Sequence, residues 1–260
     1  MNWMLPKDRS ESIISAKKHI TSKHGFHIDG KIKETGFLFE MGYAIPMIQE
    51  KYPIVEVIEK LPCFLYQRKC VNIDGIENVS FIQGSYGAPA SVDVLETVLE
   101  LGVKRIVVVG FCGGIGKEVQ VGELIVPNEI EREEGTSYHY LEPDQKCSPN
   151  MELLEKIYPY IMQSSSFKIH KGKTISTDAP YRETINKERS WQNNGILGVD
   201  MESSAILSVC QYYKIPAVSI LMVSDKHNFD DNSNWEWDID SMESKKVKFI
   251  ELLMSLAKII

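Results

Sequence analysis

Glu202 stands in the stretch GVDMESSAILSVC (198–210), where helical spacing puts Met201/Glu202, Ala205/Ile206 and Val209/Cys210 on one face. A carboxylate on an apolar stripe is costly unless something pairs with it. One reading is structural: a first-turn acid favoured by the helix dipole, with Asp200 as the cap. The other is a carboxylate held for a bound group. Two more acids end apolar runs, Asp178 in STDAPY and Asp225 in SDKH, which follows AVSILMVS (217–224). Two glycine turns do the same: GSYG (84–87) after VSFIQ, and GFCGGIG (110–116) after RIVVVG. In an open α/β sheet, ligands bind beyond the carboxyl ends of the strands. Asp178, Glu202, Asp225 and the two turns are therefore expected at one sheet edge. Each also has a plain alternative. Asp225 could be a helix cap, His227 a surface loop residue, and a glycine-rich turn mere packing. GFCGGIG carries neither the P-loop pattern nor the dinucleotide fingerprint.

These residues need a scaffold, and the chain supplies alternating elements. RSESIISAKKHI (9–20) predicts a short helix capped by Ser10. Strands are expected at 79–83 and 105–110, joined by a helix at 90–101 that Gly102 stops. A helix of that length between two such strands is a βαβ crossover, which makes the strands parallel. Further strands at 123–127 and 167–177 flank a helix near 151–162. GILGVD leads into the Glu202 helix, Pro216 ends it, and 217–224 forms another buried strand. Residues 228–238 read as a polar loop carrying Trp235 and Trp237, a candidate lid, and 239–260 as a closing amphipathic helix. The pattern specifies an α/β fold in one domain, with a mixed, largely parallel central β-sheet flanked by helices.

Composition narrows the partners. The 260 residues are 43% hydrophobic and 25% charged, which suits one large core. With 29 basic against 36 acidic residues the net charge is -7, and no basic block suggests a nucleic-acid partner. The five cysteines are scattered, without a C-x-x-C pair, and the apolar contexts of Cys63, Cys112 and Cys210 fit buried thiols in a reducing compartment better than disulfides or zinc ligands. The start MNWMLPKDRSESI lacks a secretory pattern, and no apolar run reaches membrane-spanning length. The expectation is a cytoplasmic protein with no membrane contact.

The ordered set GSYGAPAS, VVVGFCGGIG, VGELIVP, STDAPY, GILGVDMESSAIL and LMVSDKH resembles the nucleoside phosphorylase family. That family includes purine nucleoside and uridine phosphorylases, methylthioadenosine/S-adenosylhomocysteine nucleosidase and AMP nucleosidase. The similarity runs from about Ser80 to the C-terminus, and residues 1–70 share little of it. The resemblance implies an N-terminal helical extension over 1–35 and a phosphorylase-like domain over 36–260. It implies that Glu202 accepts hydrogen bonds from ribose hydroxyls while Met201 packs on the sugar. It makes Asp225 the acid that protonates the leaving base, a role that needs a raised pKa. Tyr86 then becomes a ribose contact, and Ala179 and Tyr181 line the base pocket. No cofactor and no metal are implied. The partners are a nucleoside, phosphate as a candidate co-substrate, and further copies of the chain in a dimer or hexamer.

The chemistry agrees with these residue types. N-glycosidic cleavage generates an oxocarbenium-like sugar and a base anion, so the sugar must be held and the base neutralised. Two departures bear on the acceptor. Phosphorylases hold phosphate with an arginine before the glycine turn and a serine or threonine within it; here Val108 and Phe111 stand there. Their early GDPxR-like loop is absent, and FLFEMGYAIPMIQEK occupies its place. Backbone N–H groups of Gly113 and Gly114 remain candidate anion donors. Pro180 also stands where purine phosphorylases carry an aromatic. Phosphorolysis, hydrolysis like that of AMP nucleosidase, and nucleoside binding without turnover all stay open.

Overall fold

Residues 37–39, 107–109 and 218–223 are buried on both faces, as central strands covered by helices must be. The structure, a computed structural model, describes residues 8, 10–226, 236–237 and 239–260. His227 and most of the tryptophan-containing loop expected at 228–238 therefore lie outside the described residues.

The strands in chain order are β1 (Thr35–Phe39), β2 (Ile54–Ile58), β3 (Cys70–Ile73), β4 (Val79–Gln83) and β5 (Arg105–Gly114). They continue with β6 (Leu124–Glu133), β7 (Ile169–Thr177), β8 (Ile196–Asp200), β9 (Ala217–Lys226) and β10 (Glu236–Trp237). The helices are α1 (Ala16–Thr21), α2 (Ala44–Lys51), α3 (Ala88–Glu100), α4 (Met151–Ser164), α5 (Ile185–Asn193), α6 (Ser203–Tyr213) and α7 (Ile239–Ala257).

The sheet order is β10-β9-β6-β7-β8-β5-β1-β4-β3-β2. β9 also pairs with β5 in parallel, from Ile106↔Ala217 to Gly114↔Lys226, so β9, β6, β7, β8 and β5 close into a ring. β1 runs parallel to both β4 and β5, which makes the expected crossover through α3 real. Alternation along the strands then divides the core. Phe37, Phe81 and Val107 join α2, α4 and α7 on one face, whereas Leu38, Ile82 and Val108 join α3 and α6 on the other. All five cysteines are buried and free.

Local chemistry moved several boundaries. The first helix begins at Ala16, not near Ser10, because Ser15 caps it by accepting the Lys18 N–H at 3.2 Å. GFCGG is not a turn. β5 runs through it to Gly114, since Gly113 and Gly114 pair with Val199 and Gly198 on one side and with Asp225 and Lys226 on the other. β6 extends to Glu133 on its parallel pairing with β7. Helix α6 begins at Ser203, so Glu202 occupies the cap position with φ -135° instead of riding the apolar stripe.

Candidate active site

Glu202 sits where β8 hands the chain to α6. Asp200 organises that junction. Its carboxylate accepts the backbone N–H groups of Glu202 and Ser203 at 3.3–3.4 Å and the hydroxyl of Ser176 from β7. Asp200 thus satisfies the start of α6 from two residues before the cap, and this frees the Glu202 side chain. Glu202 Oε1 instead accepts the Gly87 N–H at 2.7 Å, and Oε2 accepts the Met201 N–H at 3.2 Å. Glu202 is 7% exposed. Burial, and then the nearby Asp200 charge, push its carboxyl up to about 8.

The Gly87 donor belongs to the 84–87 turn between β4 and α3. Gly87 has φ +84°, a conformation that suits glycine and points its N–H at Glu202. Pro89 occupies the first turn of α3, where a missing N–H is harmless. Tyr86, in the same turn, is 70% exposed, and its hydroxyl accepts the Gly42 N–H at 3.0 Å. The turn therefore links the ends of β1, β4 and β8.

Asp225 lies inside β9, opposite Gly113 on β5 and Trp237 on β10. It is 5% exposed, and Ser224 Oγ donates to its Oδ1 at 2.5 Å. Asp200 and Asp225 both act on the Cys112 thiol, which burial first and their charges next push well above its ordinary value. The two acids therefore flank Cys112 on β5. Lys226, next along, donates to the Gly116 carbonyl, and its burial lowers its pKa.

The remaining expected residues are placed less centrally. Asp178 does not join the acids: it is exposed, and its Oδ2 accepts the Gly135 N–H at 2.8 Å. Ala179 precedes a short 3-10 turn over Pro180–Arg182, in which Tyr181 is fully exposed. Met201 is half-buried beside Glu202. Gly113 and Gly114 lie within β5 between two neighbouring strands. Val108 is buried and apolar, and Phe111 packs its ring 5.7 Å from that of Tyr43.

One central residue had no motif to announce it. Glu40, just after β1, is buried, and its Oε2 accepts the Ser85 N–H at 2.6 Å and the Ser91 hydroxyl at 3.2 Å. Among the described residues, no group of three or more His, Cys, Asp or Glu could hold a metal ion. No described helix is long and apolar enough to cross a membrane. A separate cleft of 310 Å³ is lined by Glu129, Arg132, Lys146 and Lys173 and contains none of these site residues.

Comparison with known proteins agrees with this architecture. The family model described as Phosphorylase superfamily matches residues 36–258. A purine nucleoside phosphorylase DeoD-type from Brevibacillus brevis is 27% identical over 183 residues, covering 68% of this chain and 77% of the relative. A protein of the same description from Bacillus cytotoxicus is 28% identical over 188 residues, with the same shares covered. Among solved structures, uridine phosphorylase from Vibrio fischeri superposes with a TM-score of 0.69 at 20% identity, covering 96% of this chain and 95% of its own. Purine nucleoside phosphorylase from Toxoplasma gondii, in complex with immucillin-H, gives 0.73 at 17% identity, with 88% and 91% covered.

Proposed function

This chain belongs to the phosphorylase superfamily, and on that premise we propose that it cleaves the N-glycosidic bond of a nucleoside, with a purine base preferred. The observation that carries the reading is the buried Glu202 carboxylate, fixed by the Gly87 and Met201 N–H groups. Two backbone donors leave lone pairs on both oxygens, and neighbouring sugar hydroxyls are donors that match them. Met201 covers the sugar face and Tyr86 closes over it from the 84–87 turn. Asp225 donates a proton to the departing base, and Ala179 and Tyr181 border the base.

Each role answers a need of the reaction. The sugar gains positive character as the bond opens, and that charge favours ionisation of the Glu202 carboxyl, so its interaction with the hydroxyls is worth more in the transition state than before it. The base gains negative charge, and a proton from Asp225 neutralises it. Phosphate and water are both acceptors for the sugar carbon. Family relatives named as phosphorylases support phosphate, with the Gly113 and Gly114 backbone as its donors. The apolar side chains of Val108 and Phe111 support water.

Incubating the purified protein with a panel of purine and pyrimidine nucleosides, with and without inorganic phosphate, tests the reading. Release of free base, fastest from purine nucleosides, is expected. Tight nucleoside binding without base release would replace the enzyme by a binding protein.

A further inference from the structure

Glu134 has no part in the roles above, yet it is 1% exposed and both of its carboxyl oxygens are engaged. Oε1 accepts the Ser204 hydroxyl at 2.8 Å, and Oε2 accepts the Ser137 N–H at 2.9 Å. A carboxyl group is kept in such a place only where its bonds are made, and it then fixes the groups that make them. Ser204 lies two residues after Glu202, in the first turn of α6. The Ser204 N–H donates to Ser176 Oγ at 2.9 Å, and that hydroxyl donates to Asp200. Glu134 therefore stands at the far end of the network that sets the Glu202 junction.

The same loop reaches the other side of the site. The β6–β7 ladder ends at the pair Glu133↔Thr177. Just beyond it, Asp178 Oδ2 accepts the Gly135 N–H at 2.8 Å, so a side chain carries the contact past the last paired residues. Asp178 directly precedes Ala179 and the turn that holds Tyr181. Three points are thus joined pairwise: Glu134 and Gly135 after β6, Ser176 and Asp178 around the end of β7, and Ser204 at the start of α6. The loop behind the first point is braced as well. Arg132 Nε donates to Ser137 Oγ at 2.9 Å, and its other nitrogens donate to the Leu141, Glu142 and Gln145 carbonyls at 2.7–3.0 Å. At the far end of the loop, the Cys147 thiol donates to the Ser204 carbonyl at 3.4 Å. A support of this kind holds the groups in front of it to a fixed geometry.

We propose that Glu134 is a positioning residue that sets the separation between Glu202 and the segment Ala179–Arg182, and with it the size of base the site accepts. The proposal rests on nucleoside cleavage, with the sugar at Glu202 and the base beside Ala179 and Tyr181. Sugar and base are joined by one bond of fixed length, so two holding points at a fixed separation suit a base of one size. With the triangle closed, that separation matches a two-ring purine. With it opened, the segment after β7 shifts relative to α6, and a one-ring pyrimidine is rejected less well. Glu134 and Asp178 touch no reacting atom in this arrangement. Their loss acts on alignment, where a displacement of about 1 Å costs up to roughly 10²-fold in rate.

The test measures base release from adenosine and uridine in phosphate buffer, where either acceptor can serve, with Tm recorded beside it. Wild type should favour adenosine. Glu134→Ala should lose roughly tenfold or more of that preference in kcat/KM, and its kcat on adenosine should fall because Glu202 shifts. Asp178→Ala should lose a similar share of the preference through KM, with kcat kept, because only the base side is released. Glu134→Gln should keep the preference. Its amide oxygen takes the Ser137 N–H, and its NH2 donates to Ser204 Oγ, whose own proton turns away. A folded Glu134→Ala protein with lowered Tm but wild-type preference would make Glu134 a stability residue only and overturn the proposal. An Asp178→Ala protein with wild-type preference would overturn it too, and that variant decides alone if Glu134→Ala does not fold. Wild type that cleaves both nucleosides equally would overturn the proposal and leave cleavage intact. Wild type that cleaves no nucleoside would overturn the functional reading with it.

Discussion

A carboxyl raised to about 8 makes Glu202, the proposed sugar acceptor, a testable stability element as well. Its unfolded value is the ordinary 4.5, so between those two values the folded chain binds a proton that the unfolded chain does not. Stability is therefore full below the unfolded value and falls as pH rises through the window to about 8. Glu202→Gln removes that loss. The ligand-free variant should gain Tm over wild type as pH rises from the acid to the alkaline end of this window, by the equivalent of a few kcal/mol. Glu40 and Asp200, raised for the same reason, keep a residual slope of the same sign. The same variant should show higher KM and lower kcat, because the amide replaces one acceptor oxygen by an NH2 donor and cannot ionise as the sugar gains charge; unchanged kinetics would remove Glu202 from the sugar site. For Asp225→Asn, kcat on nucleosides that need acid assistance should fall roughly 10²–10⁴-fold, with much smaller losses for bases that leave unprotonated. Full activity of that variant on purine nucleosides would end the acid assignment.

The site depends at the scale of elements on one turn, residues 84–87, which carries the donors to both Glu40 and Glu202. Gly84→Ala would drive a methyl group into the Glu40 carboxylate, which must move because it is the flexible partner. Overpacking of this kind costs roughly 1–3 kcal/mol. Activity should fall more than that stability loss explains, measured as kcat in folded protein beside Tm. Equal activity in the folded variant would show that the turn tolerates displacement of Glu40. The strands and helices around this turn were legible in the sequence because apolar runs and helical stripes mark them directly. Glu202 and Asp225 stood out in the sequence because MES and SDKH follow such runs, and the structure buries both. The continuation of β5 through GFCGG was not, since glycines read as a turn until pairing with β8 and β9 on both sides holds them extended. Glu40 was hidden too. A single acid after FLF looks like any strand end, and only the meeting of β1, β4 and β5 shows what surrounds it.

At the scale of the whole molecule, apolar side chains gather outside the core. Phe64, Leu65 and Tyr66 are exposed, and Asp93 on α3 fixes the backbone beneath them by accepting the Phe64 and Leu65 N–H groups at 2.8 Å each. His19 on α1 packs edge-on against Phe64, which ties the N-terminal segment to the same patch. Side chains presented this rigidly suit a second copy of the chain, and a symmetric homo-oligomer is expected. Light scattering at micromolar concentration should give a dimer or hexamer, and Phe64→Asp with Tyr66→Asp should shift it toward monomer. A fully active monomeric wild type would remove the oligomer from the function.

The closed ring of β5, β9, β6, β7 and β8 also sets an order of assembly during synthesis. β5 is complete at Gly114, but its parallel partner β9 begins only at Ala217, after β6, β7 and β8 have been made. Until then β5 presents an unpaired apolar edge, and the ring cannot shut. Contacts so distant in the chain form slowly and leave the nascent protein open to wrong pairing. The strand that closes the ring is the one that carries Asp225, so closure of the ring and placement of the proposed acid are a single event.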